Sequence, residues 1–412
     1  MCYNSFMTFE EISAEDFREF AKNSPYKSFM QTPEIAKYRE ENGWTAYYLA
    51  TKHNREIKAA TMLVAKPTFM GKSTFIAPGG PLLDLEDQSL TEFFMRSLKK
   101  YLKSHNGYEL HISPYYEISE RDRHGDLVSN GFNHKTALKN LKSLGFTEVK
   151  DASQPKYMYA LDLNGKSAEE LMKDFKSNTR GHIRKAEKMG VTVRELKKDE
   201  LKIFKDITES TSKRREFEDK PLKYYEEMYD LFVPRGEALF LLAEVSGGFE
   251  DGISKHCAGS DSHFDNGHGR VAGIEIPGRA RLTRCKNDDR EPSTLRNPTS
   301  NSLPLSAAMF ILYGSEVVYL FSGSDEKYMK DYNAQYELQW YMIKYAAEKK
   351  FKRYNFYGIH GLPDDNQKDG VYEFKKGFGG QVLEYAGTWE LPIDQKFYQL
   401  KKFLKKLKNR GK

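Results

Sequence analysis

With 412 residues, 39% of them hydrophobic, the chain can fill two or three domains with real cores, and its 65 basic against 59 acidic side chains leave a formal charge of +6, too mild to require a polyanionic partner. No apolar run reaches the ~18 residues of a spanning helix, and residues 1–20 mix Glu10, Glu11, Glu15 and Asp16 with aromatics, unlike a secretory leader, so a cytoplasmic protein is expected. Cys2, Cys257 and Cys285 are too few and too irregularly spaced for a disulfide framework or a metal motif; neither metal nor cofactor is expected.

Strand-like segments at 47–50, 59–64 and 73–76 are followed by a helix that Ser89 would cap, with Leu90, Phe93, Phe94, Leu98 and Leu102 as its apolar stripe. Residues 108–112 return as a strand. This order makes an α+β unit that needs helices over its sheet. A second unit repeats the logic: a strand at 157–163, a basic helix over 173–188, a strand at 191–195, helices over 201–214 and 224–232, and a strand at 238–245. The pattern resumes with 303–312 and 317–321 as a hairpin about Tyr313-Gly314-Ser315, a helix over 334–348, and strands at 354–357 and 381–385. Two such halves suggest duplication, although no residue-level repeat is visible.

Residues 246–302 are foreign to the rest, with none of the 26 tyrosines or 3 tryptophans and two of the three cysteines. They show neither helical nor strand periodicity, and so long a structureless loop is uncommon inside a compact domain. The chain closes on residues 391–412, where Leu400, Phe403, Leu404 and Leu407 recur at helical spacing opposite Lys401, Lys402, Lys405, Lys406, Lys408 and Arg410. Such a helix either lies on an anionic membrane or docks on the body with a solvated basic face.

No single motif is a strong catalytic signature. Six blocks in order nevertheless carry a resemblance: Ser24-Pro25-Tyr26 with Phe29-Met30-Gln31-Thr32, Pro78-Gly79-Gly80-Pro81-Leu82-Leu83-Asp84, Leu110-His111-Ile112-Ser113-Pro114-Tyr115, Tyr319-Leu320-Phe321-Ser322-Gly323-Ser324, Tyr354-Asn355-Phe356-Tyr357-Gly358-Ile359, and Phe374-Lys375-Lys376-Gly377-Phe378. On these the chain resembles the FemABX/MurMN family of tRNA-dependent peptidoglycan bridge aminoacyltransferases. The resemblance implies an α+β fold of twin Gcn5-type N-acetyltransferase-like domains, at 1–155 and at 156–245 plus 303–390. It also implies an inserted antiparallel helical coiled coil where 246–302 lies. That stretch has no such periodicity, so it reads either as an out-of-frame translation between compensating indels or as a genuine disordered insertion.

The resemblance further implies transfer of Ala, Ser or Gly from aminoacyl-tRNA to the stem-peptide lysine, or to a residue already on it, of a lipid II-type precursor. Peripheral contact with the inner face of the membrane through the last helix fits such a substrate. Lys375 falls at the position of a family lysine near the reacting carbonyl, where a cation can steady the tetrahedral oxyanion. From sequence alone it would read as a solvated charge beside Lys376. Lys37, Lys220 and Tyr224 match positions that contact the precursor's phosphates and sugar, with Lys220 in place of an arginine and so without a bidentate grip. Ser113 stands where several members carry an aspartate, and a hydroxyl cannot serve as a base near neutral pH. Phe321 replaces a frequent tyrosine in the same cleft. The basic helix over 173–188 is a candidate for tRNA phosphates. Two rivals remain open. An acyl-CoA N-acetyltransferase would need a Gly-rich turn opening a helix, whereas 376–380 leads into a strand. A non-catalytic precursor- or membrane-binding homologue would be consistent with Ser113.

Overall fold

The computed structural model describes residues 7–150, 152, 154–216, 218–246, 302–359, 361–362 and 370–410. The first half runs β1 (Met7–Glu11), α1 (Ala14–Asn23), α2 (Pro33–Glu41), β2 (Thr45–His53), β3 (Glu56–Pro67), β4 (Ser73–Ala77), α3 (Gln88–Ser104), β5 (Gly107–Ile112), β6 (Glu117–Arg121), α4 (Lys135–Ser143) and β7 (Thr147–Glu148). The second begins β8 (Tyr157–Asp162), α5 (Ala168–Asp174), α6 (Ser177–Lys188), β9 (Val191–Glu195), α7 (Leu201–Arg215), α8 (Leu222–Phe232) and β10 (Ala238–Ser246). It continues β11 (Ser302–Tyr313), β12 (Glu316–Ser324), α9 (Glu326–Tyr332), α10 (Ala334–Glu348), β13 (Arg353–Ile359), α11 (Gly370–Lys376), β14 (Gln381–Tyr385), β15 (Trp389–Pro392) and α12 (Gln395–Arg410). Most of the insertion read at 246–302, with both of its alternatives, lies outside the described residues.

The halves repeat one topology. Strands β1 to β4 pair antiparallel in chain order and β4 pairs parallel with β5, while β9 to β12 pair antiparallel in the same order and β12 pairs parallel with β13. Two helices separate the first two strands of each run, and a long helix, α3 or α10, links the parallel pair. The α+β duplication is thus present in strand order and sense. The halves also exchange strands: β6 joins the edge of the second sheet against β14, and β15 enters the first between β5 and β7. The sheets therefore do not divide at 155 and 390, because a strand from each half completes the other.

The layers meet in a shared core. Phe17, Ile35, Met62 and Leu82 of the first half pack in one cluster with Phe204, Tyr225, Phe232 and Met309 of the second. A second cluster fills the other face of the first sheet under α3 and α4 with Phe94, Leu98, Leu141 and Trp389. A third fills the outer face of the second sheet under α6 and α10 with Ile183, Leu338, Ile343 and Phe310. Strand β11 is buried on both faces, which is why 303–312 reads as a continuous apolar run rather than an alternating one.

Local corrections have simple causes. Asp87, not Ser89, caps α3, its carboxylate accepting from the Leu90 N–H at 2.9 Å. The expected single helix over 173–188 is two, because Phe175 turns extended to bury its ring against Trp340 and Phe378. Helices α1 and α2, with Ser13 and Thr32 as caps, escape a reading based on apolar stripes because only Phe17 and Ala21 in α1, and Glu34, Ile35 and Ala36 in α2, are buried. Helix α12 docks through Phe397 and Tyr398, in contact with Tyr108, and Lys401 pairs with Glu109 at 3.0 Å; Leu400, Phe403 and Leu404 stay exposed.

Helix α10 packs against α6 and the sheet and carries Glu337 inward, where Glu337 Oε2 has no hydrogen-bond partner among the described residues. Burial pushes its carboxyl up to about 7. A carboxyl protonated more readily when folded favours the fold at low pH, and that contribution is lost as pH rises through 7. Glu337→Gln should therefore raise stability at pH 8 by ~1–2 kcal/mol. It should also flatten the decline between about pH 5 and 8, as read from urea melts across that range.

Candidate active site

The cleft originates in the splay of a parallel pair. Strands β12 and β13 pair only at residues 316–318 against 353–355 and then diverge, opening a cavity of about 870 Å³. Two irregularities force the divergence. Leu320 is an extra residue on β12, whose register against β11 jumps between Tyr319 and Phe321. On β13 the register against β8 jumps from Asn355 to Gly358, with Tyr357 left-handed at φ 64°. In the first half the equivalent strands stay paired to Ala77 and Ile112. There the buried Gln31 spans the following loop, donating to Pro78 O (2.8 Å) and Met62 O (3.0 Å) and accepting from the Met62 N–H (2.8 Å).

Lys375 sits on this cleft. Residues 370–372 form the first turn of α11, and that helix places Lys375 inward. It is 5% exposed, and its Nζ donates to Gly358 O (2.6 Å) and Tyr357 O (3.3 Å), two carbonyls at the β13 irregularity. The reading of Lys375 as a solvated charge is therefore wrong for this fold. Phe321 lines the same cleft and packs edge-on against Tyr224 (5.7 Å) and Tyr225 (5.6 Å).

The remaining candidates stand around that aromatic group or beside it. Tyr224 is half-buried and bridges Phe321 to Tyr38 (5.5 Å), so α8 meets α2 across the two halves next to Lys37. Lys37 itself is exposed, 3.9 Å from Glu41, and the exposed Lys220 lies 5.9 Å from the Tyr224 ring. None of these three is among the residues lining the large cleft. Ser113 lines a small adjoining cavity and is hydrogen-bonded at 3.0 Å to the Thr388 hydroxyl, which faces the large one. Gln154, Pro155, Tyr357 and Gly387 border both cavities.

Sequence reasoning missed several groups. Asp219 holds the cleft wall through Lys205 (2.7 Å), the Thr208 hydroxyl (2.9 Å) and the Tyr225 hydroxyl (2.6 Å); burial and that carboxylate raise the Tyr225 phenol well above its usual value. Arg214 and Arg215, at the end of α7, and Lys150 also line the cleft. With Lys156 neutralised by Glu148 at 2.7 Å, the rim keeps an excess of positive charge suited to a polyanion. The charge pattern over 213–215 signals a helix C-terminus, and no local feature shows that it faces a cavity. The basic face of α6 exposes Arg184, Lys185 and Lys188, with Lys185 bonded to Lys330 O at 2.9 Å. Among the described residues no cluster of His, Cys, Asp and Glu can hold a metal, and no helix is long and apolar enough to cross a membrane.

Comparison with known proteins agrees with this architecture. The chain matches the FemAB family over residues 12–247 and 280–406, so the break falls within the foreign stretch. It is 30% identical over 423 aligned residues to aminoacyltransferase FemA of Staphylococcus aureus strain bovine RF122 / ET3-1, covering 98% of this chain and 100% of that one, and equally so to FemA of strain MRSA252. Among solved structures it resembles FemX, with a TM-score of 0.72 and 21% identity over 95% of this chain and 99% of that one. It also resembles a tandem GNAT protein from the clavulanic acid biosynthesis pathway, with a TM-score of 0.50 and 8% identity over 94% and 98%. Both support the twin acetyltransferase-like fold. Sequence blocks, repeated topology and near full-length similarity converge on one statement: the chain belongs to the FemAB family.

Proposed function

We propose that the protein is an aminoacyltransferase that moves Ala, Ser or Gly from aminoacyl-tRNA onto the stem peptide of a lipid II-type precursor, building the interpeptide bridge. The observation that carries this reading is a buried lysine held by two carbonyls on a cationic cleft between diverging strands. The acceptor amine attacks the ester carbon, the carbonyl oxygen gains charge in the tetrahedral intermediate, and the Lys375 ammonium stabilises it. Collapse breaks the bond to the tRNA ribose oxygen, which takes the proton lost by the attacking nitrogen and leaves as the hydroxyl as the amide forms. Ser113 supplies no base near neutral pH, so the amine arrives deprotonated and, once bonded to the carbonyl carbon, gives a proton to the departing ribose oxygen.

Arg214, Arg215 and the basic face of α6 are the groups suited to tRNA phosphates. Lys37, Lys220 and Tyr224, gathered where α2 meets α8, are suited to the precursor's phosphates and sugar. The exposed Leu400, Phe403 and Leu404 beside Lys402 fit α12 to an anionic bilayer, where a lipid-linked acceptor resides. Phe403→Glu with Leu404→Glu should abolish co-sedimentation with phosphatidylglycerol vesicles, while neutral phosphatidylcholine vesicles bind neither form.

The deciding experiment incubates the protein with alanyl-, seryl- or glycyl-tRNA and lipid II, and separately with acetyl-CoA. Mass analysis should find one added residue in the first set and none in the second. Acetylation with no aminoacyl transfer would overturn the reading. The turn at Gly379 and Gly380 already disfavours the acetyl-CoA alternative, since it opens β14 and not a helix.

A further inference from the structure

We propose that Asn355 is a positioning residue for Lys375, acting through the kink at Tyr357; this rests on Lys375 being the group that stabilises the transferring ester. Asn355 is fully buried at the last paired position of β12 with β13. Its Oδ1 accepts from the Tyr357 N–H at 2.7 Å, a side-chain bond two residues ahead that substitutes for a backbone turn. That bond holds Tyr357 left-handed, a conformation a bulky aromatic rarely adopts. The register against β8 jumps there, and the carbonyls of Tyr357 and Gly358 turn to the Lys375 ammonium.

The other end of Asn355 is fixed equally. Its Nδ2 donates to the Tyr115 hydroxyl (2.8 Å) and to Glu316 Oε1 (3.1 Å), and the Tyr115 hydroxyl donates to Glu316 Oε2 (2.8 Å). Tyr115 belongs to the first half, in the crossing segment that leads to β6. On the far side of the kink Pro155, in the connection between halves, lies where a Cβ on Gly358 would stand 2.6 Å from its own Cβ. The carbonyl pair that aims Lys375 is therefore clamped by groups from both halves, and Asn355 joins the clamp to the kink.

The test compares Asn355→Ala and Asn355→Ser by kcat, by KM for lipid II, and by the rate at which acetic anhydride labels Lys375, read by mass spectrometry. Asn355→Ala should lower kcat about ten- to a hundredfold, leave KM within about twofold and speed Lys375 labelling severalfold. Asn355→Ser, whose hydroxyl can accept the same N–H, should lie between it and the unaltered protein. Unchanged kcat per folded molecule together with unchanged labelling would overturn the proposal. So would faster labelling with no fall in kcat. If the alanine variant does not fold, the serine variant decides by the same readouts. Lys375→Met run beside them separates the two ideas: full transfer there refutes the catalytic reading, whereas its loss, with both Asn355 variants at full rate, refutes the positioning role alone.

Discussion

Lys375→Met should lower kcat for aminoacyl transfer by about 10²–10³, the usual cost of removing one donor from a developing oxyanion, equivalent to ~3–4 kcal/mol of transition-state stabilisation. Methionine fills similar space, so KM for lipid II should stay within about twofold, since the precursor-binding candidates Lys37, Lys220 and Tyr224 lie elsewhere. Removing the ammonium also leaves the carbonyls of Tyr357 and Gly358 without this donor, a cost of ~1–3 kcal/mol in stability. Rates must therefore be taken per folded molecule, with thermal melts run alongside. A variant that is folded, binds precursor and still transfers at the original rate would remove Lys375 from the mechanism.

The largest effect on stability is expected at Gly380, in the turn between α11 and β14. Its φ is +83°, and an added Cβ would stand 2.3 Å from the Ala160 carbonyl oxygen, in the strand that pairs with β14 at the next residue, Gln381. Neither group is a flexible side-chain tip, so β14 must move off β8 or the turn must open. Gly380→Ala should cost ~3 kcal/mol or more, from the clash together with left-handed strain. Gly236→Ala isolates the strain, since Gly236 also has a positive φ (+69°) but nothing within 4 Å of an added Cβ. That control should cost only ~1 kcal/mol. Denaturant midpoints of the two variants check the difference, and equal losses would show that the contact with Ala160 yields readily. Because the same turn carries α11, Gly380→Ala should also depress transfer.

The surface around Tyr224 shows how tertiary contacts change the meaning of a candidate. On the sequence Lys37 stands far from Lys220 and Tyr224, joined to them only by resemblance. In the fold, Tyr38 and Tyr224 meet edge-on at 5.5 Å and bring α2 of the first half against α8 of the second. Phe321 packs on that group and brings to the cleft a ring that shapes it without adding a hydroxyl.

Periodicity, breakers and turn signals made most of the core strands and the long helices legible, because burial on one or both faces writes itself into local order: the hairpin about Gly314, α10 and β9 need no distant information. The short helices α1, α2 and α4 and the strands β6 and β15 were not legible, since each gains its stability from partners far along the chain. Strand exchange is the clearest case, as β15 completes a sheet whose other strands lie before residue 150, and nothing local to 389–392 names that partner. The site divides the same way. The sequence marked Lys375 as a cation in a recognisable block. Only the fold decided that it is buried, because the carbonyls of Tyr357 and Gly358, at the irregularity in β13, replace water that an ammonium would otherwise keep.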